Sequence, residues 1–163
     1  MAKITDYTIG REGFVTAEDK TEGDFKTPLG TYPLREIWYR PDRIEKPISG
    51  LPIHEITEAD CWCDDAKHAL YNQHFRQPTS PTPASFERLF RDDRAYDIII
   101  VIGYNDAPAA PSKGSAIFIH VEHDDGRPTA GCVALTKEAL LELAKTLGPS
   151  SKIEIKKDSI NII

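Results

Sequence analysis

The chain lacks a long hydrophobic run and lacks an excess of positive charge. None of its 163 residues lies in an apolar stretch approaching the ~20 residues that a membrane-spanning helix requires. Lys and Arg number 20 against 26 Asp and Glu, which gives a formal net charge of −6. Nucleic-acid binding depends on concentrated positive charge that releases counterions. We therefore expect no membrane span and no nucleic-acid partner.

Cysteine is also scarce. An odd number of cysteines, 3 in this chain, suits free thiols better than a disulfide framework, and a Cys61–Cys63 bridge would close too small a ring.

The amino terminus, MAKITDYTIGREG, has neither the apolar core nor the small-residue cleavage site of a secretory signal peptide. We expect a cytoplasmic protein, with a periplasmic location as the alternative if a leader has been removed.

The pattern along the chain predicts one mainly β domain over residues 1–163, because its size suits a single core and no composition shift marks a linker. The runs DIIIVIG (97–103) and AIFIHV (116–121) predict buried strands, and 151–156 predicts a half-exposed one. Pro28 and Gly30 predict a turn that begins a strand over 31–37.

One long helix is predicted over 137–147, capped by Thr136 and stopped by Gly148. Its buried face consists of Leu140, Leu141, Ala144 and Leu147. A shorter helix is predicted over 85–89.

The segment GSAIFIHVEHDDGRPTAGCVAL (114–135) has the layout of a nucleophile and its base. Alternation places His120 at a strand end on the face opposite Ile119, and Cys132 follows His120 by twelve positions. A thiol becomes a useful nucleophile when its pKa falls or a base removes its proton, and imidazole suits that task near neutral pH. Gly131 permits tight backbone geometry beside the thiol. Cys132 and His120 are therefore the candidate catalytic pair.

Three ordered motifs give the chain a family resemblance. GDFKTPLGTYPL, IFIH and TAGCVAL resemble, in this order, the turn, the histidine strand and the cysteine segment of the L,D-transpeptidase (YkuD-like) catalytic domain. The resemblance covers roughly residues 10–155. It implies a β-sandwich or mixed-sheet fold with one helix after the catalytic cysteine segment.

The resemblance also implies a reaction. Cys132 would attack the carbonyl of the L-centre of residue 3, diaminopimelate or Lys, in a peptidoglycan stem tetrapeptide, and expel the terminal D-Ala. His120 would act as base and later acid, and the Val121 carbonyl would orient its ring. The N–H groups of Gly131 and Cys132 are oxyanion-hole candidates, and Thr129 fills the family's Ser/Thr position.

The acceptor of the acyl group stays open between two alternatives. Water would give an L,D-carboxypeptidase that recycles muropeptides, whereas an amine would give a periplasmic transpeptidase that forms 3-3 crosslinks. No cofactor is implied, and carbapenems are expected to acylate Cys132.

The chain departs from the family at Ala130, where histidine is common, and at Ala134, where Arg or Asn is common. These departures favour His120 as the sole base, and the short spacing predicts a small lid.

A further alternative is a zinc-stabilised binding module in which Cys132 is inert. The metal-ligand candidates are His54, Cys61, Cys63, His68 and His74. Because Cys-x-Cys lacks the usual spacer and no second pair follows, we favour no metal. The segment around Trp62, Asp64 and Asp65 is predicted to form a loop near the cleft. His123 and the 91–97 run are predicted to be solvated.

Overall fold

The computed structural model describes residues 1–163 as a mainly β protein with one helix. The elements, in chain order, are β1 Ala2–Ile4, β2 Phe14–Val15, β3 Thr27–Pro28, β4 Gly30–Tyr39, β5 Ile53–Glu55, β6 Asp60–Cys63, β7 His74–Arg76, β8 Phe86–Arg88, β9 Ile98–Ile102, β10 Phe118–Val121, β11 Val133–Leu135, α1 Lys137–Thr146, β12 Lys152–Lys156 and β13 Ser159–Ile162. The mainly β fold with one helix after the cysteine segment is confirmed.

One mixed sheet of eight strands organises the molecule. Its order is β1-β13-β12-β4-β9-β10-β11, with β5 beside β4. The long strand β4 joins the two halves, because its first residues pair with β12 and its last residues pair with β9. A register shift between Leu34 and Ile37 interrupts the pairing of β4 with β9. A three-stranded sheet, β7-β6-β8, and the β2-β3 pair complete the fold.

Both faces of the central strands are buried, which explains their continuous apolar sequences. Ile98, Ile100 and Ile102 face a core shared with the helix, whereas Ile99 and Val101 face a second core that contains Cys132. Phe118 also belongs to this second core. The predicted alternation of β10 is therefore correct, and it assigns the cysteine to the face away from the helix.

The helix matches its predicted start but ends differently. The Thr136 side chain accepts a hydrogen bond from the Ala139 N–H, as an N-cap should. The helix stops because Leu147 adopts an extended backbone and buries its side chain in the core. Gly148 is therefore not a left-handed stop. No helix of the chain has the length and hydropathy needed to cross a membrane.

The predicted helix over 85–89 is wrong. Residues Phe86–Arg88 form β8, an edge strand that pairs with β6. The pairing with β6 supplies backbone hydrogen bonds that no local sequence pattern reveals, and it places Glu87 opposite Trp62.

Candidate active site

Parallel pairing of β10 with β11 brings Cys132 and His120 to the same face of the sheet. Ile119 lies opposite Val133, and His120 lies opposite Ala134. Because side chains alternate between faces, Cys132 shares the face of His120. Ala134, which stands where the family commonly has Arg or Asn, is thus a buried neighbour of the imidazole.

Cys132 is almost completely buried, with 7% of its surface exposed. Its thiol donates to the Ala116 carbonyl at 3.2 Å and accepts from the Phe118 N–H at 3.4 Å. Burial raises the pKa of this thiol to about 12, because a thiolate would lose its hydration there. The Cys132 thiol is therefore neutral, bonded to a backbone carbonyl and not to the imidazole.

His120 is held in one orientation by the backbone. Its Nδ1 lies 2.8 Å from the carbonyl oxygen of Val121. Because a carbonyl oxygen can only accept a hydrogen bond, Nδ1 carries the proton and donates it. The Nε2 nitrogen is then the proton-accepting atom. Burial lowers the pKa of His120 to about 4, so the ring is neutral at physiological pH. The ring of Tyr96 packs edge-on against it at 5.6 Å between centroids.

Thr129 fixes the loop that leads to the cysteine. Its hydroxyl accepts from the Gly131 N–H at 3.1 Å and donates to the Cys132 carbonyl at 2.7 Å. The Gly131 N–H is therefore already engaged. The Cys132 N–H has no acceptor within the protein. Of the two oxyanion candidates, only the Cys132 N–H is free to bind an oxyanion.

Gly131 occupies a position that only glycine fits well. Its φ is +141°, a region that other residues rarely adopt, and an added Cβ would lie 3.0 Å from the Lys26 carbonyl oxygen. The segment before β3 thus packs directly on the cysteine loop.

Cys132 and His120 both line one cavity of about 730 Å³. The other sequence-predicted residues Thr129 and Gly131 line it as well, whereas Val121 contributes through its carbonyl to His120. Ala130, which stands where the family commonly has histidine, also lies on the cavity wall. The arrangement can present a thiol, a neutral imidazole and a free backbone N–H to one bound molecule.

The comparisons with known proteins agree with this geometry. The family model described as the L,D-transpeptidase catalytic domain (YkuD) matches residues 2–155. The chain belongs to this family. No curated protein and no solved structure gave a match. Membership in the L,D-transpeptidase family assigns the chain to cysteine catalysis on peptidoglycan.

Sequence reasoning missed most of the charged wall of this L,D-transpeptidase cavity. The missed lining residues are Arg11, Lys20, Glu22, Glu87, Arg91, Tyr96, Ser115, His123 and Arg127. They come from separate segments that meet only in the folded chain. Asp64, directly after β6, also lines the cavity, as predicted for the loop near the cleft. Trp62, predicted to belong to the same loop, lies in strand β6 instead.

Two of these residues form a contact pair beside the catalytic candidates. The Tyr96 hydroxyl donates to Glu87 Oε1 at 2.9 Å. Desolvation raises the pKa of the Glu87 carboxyl, and the neighbouring Asp64 charge adds to the effect. The only local signal for Tyr96 was its place directly before the buried strand.

The prediction that 91–97 is a solvated turn holds for Asp92 and Arg94, which are exposed, but is wrong for residues 95–97. His123, predicted to be a solvated loop residue, is only partly exposed. Ala95, Tyr96 and Asp97 are buried, and Asp97 accepts from the Arg43 guanidinium at 2.8 Å. His123 is half-buried, lines the cavity and has its ring centroid 5.6 Å from that of His120. Ion pairs within the fold, which charge counting cannot reveal, draw the 91–97 segment inward.

The residues considered as zinc ligands do not converge. His54 pairs with Glu36 at 3.0 Å and His74 pairs with Asp60 at 2.7 Å, with both rings against the indole of Trp38. The thiols of Cys61 and Cys63 are buried in a small core with Phe75. No three His, Cys, Asp or Glu side chains are grouped to hold a metal ion.

Proposed function

We propose that the chain is a cysteine L,D-carboxypeptidase that removes the terminal D-Ala from peptidoglycan stem tetrapeptides. The scissile bond joins D-Ala to the L-centre of residue 3, diaminopimelate or Lys. The observation that carries the proposal is the single cavity onto which Cys132 and His120 both open, in a chain of the L,D-transpeptidase family. Muropeptide recycling in the cytoplasm is the corresponding proposed role.

The protonation states support general-base catalysis. With the pKa of Cys132 raised to about 12 and that of His120 lowered to about 4, both groups are neutral at pH 7. As Sγ forms its bond to the carbonyl carbon, Nε2 of His120 takes the thiol proton and then gives it to the leaving amine of D-Ala. Water next attacks the thioester, giving its proton to His120, which returns one to the sulfur.

The free N–H of Cys132 supplies the proposed oxyanion contact. The carbonyl oxygen gains negative charge in both attacks, and a fixed backbone donor stabilises that charge without reorganising.

Charges on the cavity wall match a zwitterionic peptide. Glu22, Asp64 and Glu87 contribute carboxylates, whereas Arg91 and Arg127 contribute guanidinium groups. Oδ1 of Asp64 is buried and has no hydrogen-bond partner within the protein. A stem peptide carries both free amines and free carboxylates, and side chains of both charges line the cavity.

The cavity size favours water as the acceptor. A volume of about 730 Å³ lies within the range, roughly 300–1,000 Å³, that pockets for one small ligand occupy. We expect one stem peptide to occupy such a space, and water as the acceptor needs no second peptide site.

Crosslinking is the second candidate, and the rim of the cavity favours it. The ring of Phe25 is 37% exposed and has the Arg11 guanidinium 4.2 Å from its centroid. Both residues line the cavity, and this exposed platform suits a second stem peptide. In this case the amine acceptor would replace water, and the proposed compartment would be the periplasm.

Product analysis with a defined disaccharide tetrapeptide tests the proposal. The protein is incubated with it alone and with an excess of an amine acceptor, and products are identified by mass spectrometry. Tripeptide and free D-Ala in both reactions support the carboxypeptidase, whereas dimers or amine adducts support the transpeptidase. Absence of both D-Ala release and a thioester adduct would contradict both candidates.

The control variants use two of the three cysteines of the chain. Cys132→Ala should abolish turnover and the thioester adduct. Cys61→Ala is the matched control, because Cys61 is also buried but lies outside the cavity. Equal losses in the two variants would indicate a folding defect instead of the loss of a nucleophile.

A further inference from the structure

Thr27 lies outside the cavity but contacts the cysteine loop from behind. The residue is 0% exposed and belongs to the short strand β3. Its hydroxyl accepts from the Gly10 N–H at 2.9 Å and donates to the Gly131 carbonyl at 2.9 Å. The hydroxyl thus uses both its donor and its acceptor capacity to tie the amino-terminal segment to the residue before the nucleophile.

The Gly131 carbonyl and the Cys132 N–H belong to the same peptide plane. In a trans peptide these two groups point in opposite directions, and rotation about the bond between them costs ~18–20 kcal/mol. A hydrogen bond that fixes the carbonyl therefore fixes the N–H as well. Thr27 holds the carbonyl on one side, so the N–H is directed to the other side.

We propose that Thr27 is a positioning residue that sets the direction of the oxyanion-binding Cys132 N–H. The inference rests on the proposed function, in which this N–H binds the developing oxyanion. Thr129 fixes the peptide groups on either side, through the Gly131 N–H and the Cys132 carbonyl. The peptide plane between them has one hydrogen-bond partner within the protein, the Thr27 hydroxyl, and Gly131 has no side chain that limits its rotation.

Two chemical probes separate the direction of this N–H from the reactivity of the thiol. Acylation by p-nitrophenyl acetate passes through a tetrahedral oxyanion, whereas alkylation by iodoacetamide displaces iodide and forms none. Thr27→Val keeps the shape of the side chain but removes the hydroxyl. We expect its acylation rate to fall about tenfold or more, since loss of one oxyanion donor costs ~10²–10³-fold. Its alkylation rate should stay within about twofold of the wild type.

Thr27→Ser is the matched control, because it keeps the hydroxyl and should keep the wild-type ratio of the two rates. Thr27→Ala replaces the valine variant if the latter does not fold, and it should also lower the ratio. With the tetrapeptide, Thr27→Val should lower kcat and leave KM nearly unchanged, since Thr27 does not line the cavity.

The inference is overturned if both folded variants without the hydroxyl keep the wild-type ratio, or if acylation and alkylation slow in parallel. The ester probe also keeps this test independent of the substrate. If the wild type reacts with the ester at Cys132 but not with the tetrapeptide, the proposed function fails while the role of Thr27 is still decided by the ratio.

Discussion

Cys132 differs from the other two cysteines by its access to the cavity and not by its burial. Burial raises the pKa of all three thiols. Cys61 and Cys63 pack in a closed core, whereas Cys132 lies beside an imidazole on a cavity wall. A neutral thiol in that place depends on a base during attack, so the acid–base behaviour of His120 should govern the rate.

His120 should show its low pKa in the pH dependence of acylation. Because the neutral ring is the proposed base and its pKa is about 4, the rate should hold as pH falls from 7.5 to about 5.5 and decline near pH 4. The measurement is the acylation rate of Cys132 by p-nitrophenyl acetate, a probe without ionisable groups. His120→Ala should lower the plateau roughly 10²–10⁴-fold.

An inflection near pH 6.5 that disappears in His120→Ala would contradict the buried, neutral state assigned to His120. A matched His54→Ala variant should leave the profile unchanged, because His54 lies outside the cavity.

Among the elements, the crossover from β10 to β11 determines the site. Parallel strands are usually joined by a helix, but here the 122–132 segment is a loop fixed by hydrogen bonds from Thr129 and Thr27. The conformation of the loop therefore depends on contacts made by single residues. Gly131 is the most constrained of these residues.

Gly131→Ala should damage both the fold and the site. The φ of +141° strains any L-residue, by ~1–3 kcal/mol, and the new Cβ would press on the Lys26 carbonyl. We expect a lower free energy of unfolding in urea and a reduced acylation rate. Gly126→Ala in the same loop is the matched control, since its φ is +73° but no atom lies within 4 Å of the added Cβ. Equal loss of acylation in both variants would argue against the contact with Lys26.

The helix supports the opposite face of the sheet, so its cap should affect stability and not chemistry. Thr136→Ala removes the acceptor of the Ala139 N–H and should destabilise the protein by about 1 kcal/mol in urea unfolding. The acylation rate of the folded variant should equal that of the wild type. Thr146→Ala at the exposed last turn serves as the control, with a smaller expected effect. A loss of acylation in Thr136→Ala would show that the helix reaches the site.

At the scale of the whole molecule, the buried neutral Cys132 thiol and His120 imidazole should limit the pH range in which the protein is stable. Between pH 6.5 and about 4 the unfolded chain binds a proton at His120 that the native state excludes, so stability falls as pH falls. Between pH 9 and about 12 the unfolded Cys132 loses a proton that the native thiol keeps, so stability falls as pH rises. Stability should be greatest between these windows.

Urea unfolding measured from pH 4.5 to pH 7.5 checks the acid side. His120→Gln cannot titrate, so its stability should change less over this interval than that of the wild type. Equal pH dependence in the two proteins would contradict the lowered pKa of His120.

The local sequence determined the strands at 98–102 and 118–121, the capped helix and the pairing of a histidine strand with a Gly-Cys loop. Those features follow from apolar periodicity, cap chemistry and motif order, which act over a few residues. The sequence misassigned 85–89 as a helix and 95–97 as solvated. Strand pairing with β6 and an ion pair with Arg43 decided those segments, and both partners lie far along the chain.

Only the tertiary structure decided the protonation states and the contacts of the site. Desolvation makes the thiol and the imidazole neutral, and it depends on atoms from both cores and several loops. The Gly131 N–H was an equal oxyanion candidate in sequence, but the Thr129 hydroxyl engages it in the fold. The hydroxyl of Thr27 reaches the Gly131 carbonyl across 104 positions of sequence. Such contacts depend on where distant segments meet in space, which the residue types alone do not specify.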